Sequence, residues 1–274
     1  MPELPEVETI KRSLHPKLVG RKIRDCEIFY EKCIKTHAPE KFINGVRGAT
    51  IENIERRGKY LKIFLNTAEI LLIHLRMTGR LIISPKGDPV TKHTHVIFHL
   101  DNDLQLRFID IRKFGTLYLL PGEELHKVRG YRILGPEPFG EEFTLEYFKK
   151  AVKERKKNIK TLLLDQDVVA GIGNIYADEI LHAAGINPAR PAESLNGNEL
   201  EKLYHSIKRE LKKGIENRGT SFSDYVDGEG RKGKNQDYLS VYHRQGCNCS
   251  RCGCEIIKTK LGGRSSHYCP GCQE

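Results

Sequence analysis

The chain has 274 residues, a net charge of +10 and a pI of about 9.1. Its length allows two domains and a small appendage. The positive charge favours a polyanionic partner, with nucleic acid first and an anionic membrane second, over a merely basic soluble protein. No apolar run approaches the roughly 18 residues of a membrane span, and the acidic N-terminus lacks a signal-peptide core. We therefore expect a cytoplasmic protein.

The first six residues, Met1-Pro2-Glu3-Leu4-Pro5-Glu6, contain a possible nucleophile. A small second residue usually allows removal of Met1, which would leave Pro2 with a free secondary amine. An α-amino group titrates near pH ~8, so a useful fraction is neutral at pH 7 and can attack carbonyl-like carbon. The product would be a cationic iminium, and Glu3 could shuttle protons for that chemistry. The alternative is a proline-containing start to an ordinary helix.

The N-terminal half is predicted to be one helix followed by strands. Val7, Ile10 and Leu14 recur at helical spacing, and Pro16 is expected to stop that helix. About eight short strand-like runs follow between Ile23 and Leu120, which suggests a β-sandwich. Asp101-Asn102-Asp103 is a plausible hairpin turn, and the stretch from Ser84 to Lys92 is predicted to be a surface loop.

A second region begins at the linker Gly135-Pro136-Glu137-Pro138 and is predicted to be helical. We expect a domain of residues 1–134, a helical domain of residues 135–237 and a C-terminal hairpin of residues 238–274. One long helix is predicted to end at Gly219, before a flexible, glycine-rich loop of residues 219–237. Leu239-Ser240-Val241-Tyr242 is predicted to be a strand. The face of the long helix is marked by Leu200, Leu203, Ile207, Leu211 and Ile215.

Two basic or glycine-rich segments of the helical region suggest phosphate binding. Residues 149–160 contain seven basic residues and one acid, which fits either a solvated helix face or a phosphate footprint. Residues 168–179 are predicted to form a helix, a glycine turn and a second helix, with Asn174 as the N-cap of the second. The exposed N–H groups at that helix start would form an anion site, although an ordinary helical hairpin has the same pattern.

The last 28 residues contain six of the eight cysteines. Cys249 and Cys252 form one CxxC pair, and Cys269 and Cys272 form another after sixteen intervening residues. Four thiolates at this spacing are a strong signal for one structural Zn²⁺. The remaining cysteines are expected to be plain or flanking thiols, namely Cys26, Cys33, Cys247 and Cys254.

Two short segments that follow strands carry charged residues beside apolar ones, namely His74-Leu75-Arg76-Met77 and Asp110-Ile111-Arg112-Lys113-Phe114. Met and Phe in strands are usually core residues, but exposure is plausible at these strand ends. An enzyme that extracts a base from duplex DNA must fill the gap, and apolar wedges with an arginine suit that task. A metal site at His93 and His95 is less favoured, because no acidic or cysteine partner is nearby.

The run Met1-Pro2-Glu3-Leu4-Pro5-Glu6-Val7-Glu8-Thr9 resembles the start of the formamidopyrimidine-DNA glycosylase family, and matching blocks recur to the last residues. Leu4 fits this branch better than the endonuclease VIII branch, which usually has Gly there. The resemblance implies an α+β fold with an N-terminal β-sandwich and leading helix, a helix–two-turns–helix domain and a C-terminal zinc β-hairpin. It also implies a damaged double-stranded DNA partner and a monomeric bacterial protein associated with the nucleoid.

The resemblance assigns catalytic roles at matching positions. Pro2 would be the nucleophile, Glu3 the proton-transfer group and Glu6 a positioning group for water or ribose. Lys59 would assist β-elimination and Arg264, at the Leu261-Gly262-Gly263-Arg264 hairpin tip, δ-elimination. DNA contacts are implied for His74, Met77, His93, Arg112, Phe114, Arg155, Lys160 and Asn174.

These assignments predict a bifunctional DNA glycosylase and AP lyase that removes 8-oxoguanine and formamidopyrimidines. The loop that covers the flipped base in the family departs from the usual pattern here, since Arg218 replaces a glycine and Ser223 a basic residue, and Asn235 stands where an aromatic residue is common. Base preference is therefore left open. The alternatives are an endonuclease VIII-like glycosylase for oxidised pyrimidines and a non-catalytic DNA-binding protein with a zinc hairpin.

Overall fold

A computed structural model describes residues 1–274 and divides them into two compact units. The first unit contains Met1–Arg132 and Asn217–Lys234, and the second contains Ile133–Glu216 and Asn235–Glu274. By its contacts, the polar segment Asn217–Lys234 therefore belongs with the N-terminal residues. The division into three domains with ends at residues 134 and 237 stays a prediction. No helix combines the length and the apolar character needed to cross a membrane.

The first unit contains the predicted leading helix and the predicted number of strands. Its helices are α1 (Leu4–Leu18), α2 (Pro39–Val46) and the short α3 (Arg129–Arg132). The strands are β1 (Ile23–Ile28), β2 (Ile51–Arg57), β3 (Tyr60–Leu65), β4 (Glu69–His74), β5 (Gly79–Pro85), β6 (Thr94–Leu100), β7 (Leu104–Asp110) and β8 (Thr116–Pro121). They form two four-stranded antiparallel sheets, ordered β1-β6-β7-β5 and β2-β3-β4-β8.

Alternation along the strands produces the core of this unit. In β3, Leu61, Ile63 and Leu65 are buried, while the intervening side chains are only partly covered. Successive strand residues point to opposite faces, so these three lie on one face and join a single apolar cluster with α1 and both sheets. Phe98 of β6 and Phe42 of α2 pack in the same cluster, with ring centroids 6.3 Å apart.

The expected stop of α1 at Pro16 is wrong, because the helix continues to Leu18. Proline removes one backbone N–H donor from a helix. Here Pro16 lies in the last turn of α1, and only two helical residues follow it. Leu14 and Leu18 are both fully buried. Burial of Leu18 in the core favours continuation of the turn past the proline.

The second unit is helical with one terminal hairpin. Its helices are α4 (Leu145–Lys153), α5 (Ile159–Leu164), α6 (Asn174–Ala184) and α7 (Gly197–Glu216). The hairpin consists of β9 (Ile257–Leu261) and β10 (Arg264–Tyr268), so the predicted tip at residues 261–264 is confirmed. Four of the five marked α7 residues are buried, and Ile215 is half-buried.

Two predicted helix boundaries are shifted. Helix α7 ends at Glu216 rather than at Gly219, and the left-handed residues that follow are Arg218 and Gly219, with φ of 59° and 78°. The N-cap of α6 is Gly173, and Asn174 is the first helical residue rather than the cap. In both cases the helix boundary lies one to three residues before the position that the side-chain pattern predicted.

Residues 239–242 form no strand, which contradicts the prediction. Their backbone donors instead bind the carboxylate of Glu179 on α6, which accepts the N–H groups of Ser240, Val241 and Tyr242 at 2.7–2.9 Å. Glu179 is 2% exposed, and its burial raises its pKa. Leu239 and Val241 are buried, which explains why apolar and polar residues alternate as in a strand. The backbone N–H groups, however, are accepted by the Glu179 side chain and not by a neighbouring strand.

Substitution of Glu179 by Ala should therefore destabilise the second unit by about 2–4 kcal/mol, because three buried N–H donors lose their acceptor. Chemical denaturation monitored by circular dichroism measures this change. Glu201→Ala, an exposed position on α7, is the matched control and should shift the free energy of unfolding by less than about 0.5 kcal/mol. Equal stability of the two variants would contradict the role of Glu179.

Candidate active site and nucleic-acid interface

The N-terminal residues are buried and fixed by a reciprocal helix cap. Pro2, Glu3 and Glu6 are buried, whereas Met1 is 44% exposed. The backbone N–H of Glu3 donates to Glu6 Oε2 at 2.8 Å, in the capping-box arrangement at the start of α1. The candidate nucleophile and its neighbouring carboxylate are therefore held at the beginning of a rigid helix, where the helix dipole also favours acidic groups.

The other oxygen of Glu6 contacts a distant segment of the chain. Glu6 Oε1 accepts the backbone N–H of Thr220 at 2.7 Å. A side chain at Gly219 would place its Cβ 2.9 Å from both Cγ and Oε1 of Glu6, so only glycine fits this approach. Glu6 thus connects the start of α1 with the segment Asn217–Lys234.

Lys59 and His74 are both buried, and they lie at one end of the sheet that contains β2, β3 and β4. Lys59 follows the turn glycine Gly58, and it is 7% exposed, as is His74 at the end of β4. His74 Nδ1 accepts the N–H of Arg76 at 2.9 Å, and the ring of Tyr60 packs edge-on against it with centroids 4.5 Å apart. Burial lowers the pKa of His74 to about 3, and the charges of Arg76 and Lys59 act in the same direction.

The predicted wedge residues form one exposed cluster. Met77 and Phe114 are 42% and 50% exposed. The guanidinium of Arg112 lies 4.8 Å from the centre of the Phe114 ring, and its Nη1 is 3.3 Å from the Met77 sulfur. Two loops that follow different strands therefore present an apolar and cationic surface together, as expected for residues that replace an extracted base.

Asp110, which received no role from the sequence, shapes this cluster. It is fully buried and accepts the Thr78 hydroxyl at 2.5 Å, the Arg112 N–H at 3.2 Å and the Gly115 N–H at 2.7 Å. Its backbone N–H donates to the carbonyl of the half-buried His93 at 2.9 Å. An aspartate that accepts the backbone N–H two residues further on forms a common turn, so Asp110 at the start of Asp110-Ile111-Arg112 could have been identified from its residue type.

The second unit contains a buried ion pair below the hairpin. Lys160 Nζ lies 2.7 Å from Asp178 Oδ1, and both side chains are at most 1% exposed. Lys160 and Asn174 both donate to the Ser265 carbonyl, at 2.7 and 3.0 Å. Ser265 is next to Arg264, which is exposed at the hairpin tip. Lys160 and Asn174 therefore fix the hairpin strand that carries Arg264.

Asp178 completes the attachment of the hairpin, and the sequence did not single it out. Its Oδ2 accepts the backbone N–H of His267 at 2.8 Å and lies 3.2 Å from His267 Nδ1. Arg155, by contrast, is near the surface and pairs with Asp167 at 2.9 Å, which raises its pKa through the hydrogen bond to that carboxylate. Direct DNA contacts of Arg155, Lys160 and Asn174 stay predictions.

Four cysteines of the tail meet at one point. The sulfur atoms of Cys249, Cys252, Cys269 and Cys272 all lie within 4.8 Å of one another and could hold a metal ion. Cys247 and Cys254 are exposed and outside this group. Cys26 and Cys33 are buried in the first unit, and burial raises the pKa of both thiols, that of Cys33 to about 12.

The predicted site residues fall in both units. The first unit contains Pro2, Glu3, Glu6, Lys59, His74, Met77, His93, Arg112 and Phe114. The second contains Arg155, Lys160, Asn174, Arg264 and the four clustered cysteines. Within each unit, the structure brings residues from separate parts of the sequence together at the N-terminal cap, the wedge cluster, the hairpin attachment and the thiol group.

Comparison with known proteins covers the chain from end to end. The formamidopyrimidine-DNA glycosylase N-terminal domain matches residues 1–117, and the H2TH domain of the same enzymes matches residues 134–226. A formamidopyrimidine-DNA glycosylase of Pelotomaculum thermopropionicum is 49% identical over 274 residues, which is 100% of this chain and 99% of the relative.

Solved structures agree with these matches. A variant of Lactococcus lactis Fpg in complex with Fapy-dG-containing DNA superposes with a TM-score of 0.94 at 39% identity, over 100% of both chains. The complex of Lactococcus lactis Fpg with DNA containing an abasic site gives a TM-score of 0.94 at 39% identity, over 99% of both chains. The fold and these matches define a DNA glycosylase that acts on damaged DNA in repair. The chain belongs to the formamidopyrimidine-DNA glycosylase family.

The environment of His74 predicts a neutral ring across the working pH range. Its pKa of about 3 lies below the ordinary 6.5, so its contribution to the free energy of unfolding is present above pH 6.5 and is lost as the pH falls toward 3. NMR of the folded protein, with His74→Gln for assignment, should show no protonation of this ring between pH 7 and pH ~5. A midpoint near 6.5 would contradict the burial argument.

Proposed function

We propose that the protein is a bifunctional DNA glycosylase and AP lyase that excises 8-oxoguanine and formamidopyrimidines and then cleaves the abasic site by β- and δ-elimination. The observation that carries the proposal is the position of Pro2 beside Glu3 at a buried, capped helix start. A binding protein would not need an imino acid and a carboxylate held together in this way. Further support comes from the similar Fpg complexes with Fapy-dG-containing and abasic-site DNA.

The chemistry begins with the free amine of Pro2, which requires removal of the exposed Met1. Its lone pair forms a bond to C1′ of the damaged nucleotide as the bond to the base breaks, and the base leaves with a proton. Opening of the sugar gives an iminium between the protein and C1′. Glu3 supplies and accepts the protons of the sugar, and Glu6 positions water or the ribose.

The iminium acidifies the neighbouring carbon and thereby permits strand cleavage. Loss of a C2′ proton expels the 3′ phosphate in β-elimination, and a second elimination expels the 5′ phosphate, which leaves a one-nucleotide gap. Lys59 assists the first elimination and Arg264 the second. The buried setting of Lys59 and the exposed hairpin-tip position of Arg264 are compatible with these different tasks.

DNA binding is assigned to the wedge cluster and to the basic residues around it. Met77 and Phe114 fill the space left by the extracted nucleotide, and Arg112 pairs with the orphaned base, since a flipped base costs a few kcal/mol in lost stacking. His74, His93, Arg155, Lys160 and Asn174 are proposed as contacts or supports for the phosphate backbone. The protein acts on duplex DNA as a monomer.

The four clustered thiols fit a structural Zn²⁺. Zinc prefers four thiolates in a closed tetrahedral site, and the sulfur separations of at most 4.8 Å leave room for one ion. Cys249 and Cys269 are buried beside Val241 and Ile256 in a small apolar cluster, so the ion would stabilise the base of the hairpin rather than contact the substrate. Zinc would thus supply folding energy to the element that carries Arg264.

The mechanism predicts a covalent adduct. Incubated with duplex DNA that contains one 8-oxoguanine opposite cytosine, the protein should be trapped on DNA by sodium borohydride, because an enzyme-bound iminium is reduced to a stable amine. Peptide mapping should place the sugar remnant on Pro2. Pro2→Gly should weaken cleavage, and Glu3→Gln should abolish base excision while DNA binding survives.

The outcomes separate the alternatives. A remnant on Lys59 in the wild-type protein would remove Pro2 as the nucleophile. Binding without any adduct would favour a non-catalytic DNA-binding protein. A panel of damaged bases, assayed in parallel, would favour the endonuclease VIII-like alternative if oxidised pyrimidines were excised in preference to oxidised purines.

Metal analysis tests the thiol site. The wild-type protein should contain one zinc ion per chain, and Cys269→Ser should lose it because one of four ligands is removed. The matched control is Cys247→Ser, an exposed cysteine outside the group, which should retain full zinc content. Undiminished zinc in Cys269→Ser, or iron in place of zinc in the wild-type protein, would refute the assignment.

A further inference from the structure

The segment Asn217–Lys234, here called the returning loop, is closed at its base. The Lys234 N–H donates to the Asn217 carbonyl at 2.8 Å, so the chain leaves and re-enters at one place. The sequence predicted a flexible loop because the segment is polar and rich in glycine. Its internal hydrogen bonds instead give it a defined shape, and one ion pair inside it stands out.

That ion pair joins Arg218 to Asp227. The Asp227 side chain is 1% exposed, and its Oδ2 pairs with Arg218 Nη2. Its Oδ1 accepts the backbone N–H groups of Glu229 and Arg231 at 2.9 and 3.0 Å. A buried carboxylate requires such partners, and Arg218 supplies the positive charge among them.

Arg218 has a backbone conformation that favours glycine. Its φ is 59°, in the left-handed region that costs a residue with a Cβ more than it costs glycine. Compared with glycine, arginine at this position adds the ion pair with Asp227. The backbone and the side chain of one residue therefore have opposite preferences, and the side-chain interaction has to offset the backbone cost.

The Asp227 side of the pair is anchored to the rest of the first unit. The Gly228 N–H donates to Ser13 Oγ on α1, and the Gly228 carbonyl accepts the Ile83 N–H of β5, both at 2.9 Å. A Cβ on Gly228 would lie 2.9 Å from Ser13 Oγ and would collide with Leu14. Asp227 is consequently next to a fixed point, whereas Arg218 lies two residues after the end of α7.

The Arg218 side of the pair leads to the N-terminal cap. Thr220, two residues further on, donates its N–H to Glu6 Oε1 at 2.7 Å. The Tyr225 hydroxyl donates to the Arg218 carbonyl at 3.1 Å and lies 3.4 Å from the Glu6 carbonyl. Glu6 in turn accepts the Glu3 N–H. The ion pair is thus connected to Glu3 through the backbone of residues 218–220 and the two hydrogen bonds that Glu6 accepts.

We propose that Arg218 and Asp227 are positioning residues, which hold the returning loop against Glu6 and thereby set the geometry of Glu3 and Pro2 for base excision. This inference rests on the proposed function for its catalytic consequence, but the physical connection can be tested without activity. Neither residue touches the substrate in this proposal. Both act through Thr220 and Glu6.

The kinetic experiment uses the full-length protein in excess over duplex DNA with one 8-oxoguanine, so that the single-turnover rate constant reports chemistry rather than affinity. Arg218→Ala, Arg218→Gly and Asp227→Asn should each lower that rate constant roughly tenfold, the size expected for loss of one charged hydrogen bond to a buried group. Arg218→Gly also removes the backbone cost, so its loss would come from the ion pair alone. Arg218→Lys should restore the rate constant to within about twofold of wild type, since it keeps the charge.

Arg231→Ala is the matched control. Arg231 is exposed in the same loop, and its backbone bonds to Asp227 remain after truncation. Both alanine variants lose one positive charge and should lose similar DNA affinity at equal salt. Only Arg218→Ala should lose single-turnover rate. Wild-type rates in Arg218→Gly, or equal losses in Arg218→Ala and Arg231→Ala, would overturn the proposal.

Hydrogen exchange of the free protein separates this proposal from the proposed function. In Arg218→Ala, peptides covering residues 219–226 and residues 3–9 should exchange faster than in wild type and in Arg231→Ala, because loss of the ion pair loosens the Thr220–Glu6 and Glu3–Glu6 hydrogen bonds. Unchanged exchange in both peptides would overturn the positioning role. Faster exchange in Arg218→Ala, found together with a wild-type protein that excises no base, would support the connection and overturn the glycosylase assignment instead.

Discussion

The carboxylate of Glu6 is the interaction on which the arrangement of the N-terminal residues depends. It is 1% exposed, and its two oxygens accept different backbone N–H groups, one from Glu3 and one from Thr220, which lies 214 residues further along the chain. A buried carboxylate without such donors would be strongly unfavourable, so the two ends of this connection stabilise each other. The start of α1 and the returning loop therefore form one structural element, although the sequence separates them widely.

Buried carboxylates have the same function elsewhere in the molecule. Each accepts backbone N–H groups of a turn, a loop or a strand edge that the regular hydrogen bonds of helices and sheets leave without an acceptor. One carboxylate with two oxygens can accept several donors and thus fix a turn with a single side chain. The turn that carries Arg112, the hairpin strand β10, residues 240–242 and the returning loop are held in this way by Asp110, Asp178, Glu179 and Asp227.

The parts of the fold that were predictable are those set by local spacing. The strand alternation of residues such as Leu61, Ile63 and Leu65 places them on one face, and the two CxxC pairs bring four sulfurs together. The failures involve partners distant in sequence. Residues 239–242 have a strand composition, but a carboxylate 61 positions earlier takes the place of a neighbouring strand. Helix α7 likewise ends at Glu216, before the predicted Gly219, and the left-handed Arg218 that follows pairs with Asp227 nine residues further along.

The candidate site shows the same limit. Pro2 and Glu3, and the wedge residues Arg112 and Phe114, could be selected as candidates because their residue types and the family resemblance mark them, and their roles stay predictions. Lys160 was predicted as a surface contact within a basic run, yet it is buried against Asp178. A run of basic residues does not show which of them is buried. The burial of Lys160 depends on Asp178, which lies on another helix. Asp178 had no distinguishing pattern of its own, and Asp110 had only the general preference of aspartate for turns.

The exposed Met1 in front of a buried Pro2 has a consequence for the life of the molecule in the cell. On the proposed mechanism, a chain that still carries Met1 can fold and bind DNA before it can perform chemistry, because the nitrogen of Pro2 is still an amide. Activity begins only when an aminopeptidase removes one residue. On that mechanism, a chain that keeps any residue in front of Pro2 resembles a zymogen, because it can bind DNA while its nucleophile is blocked.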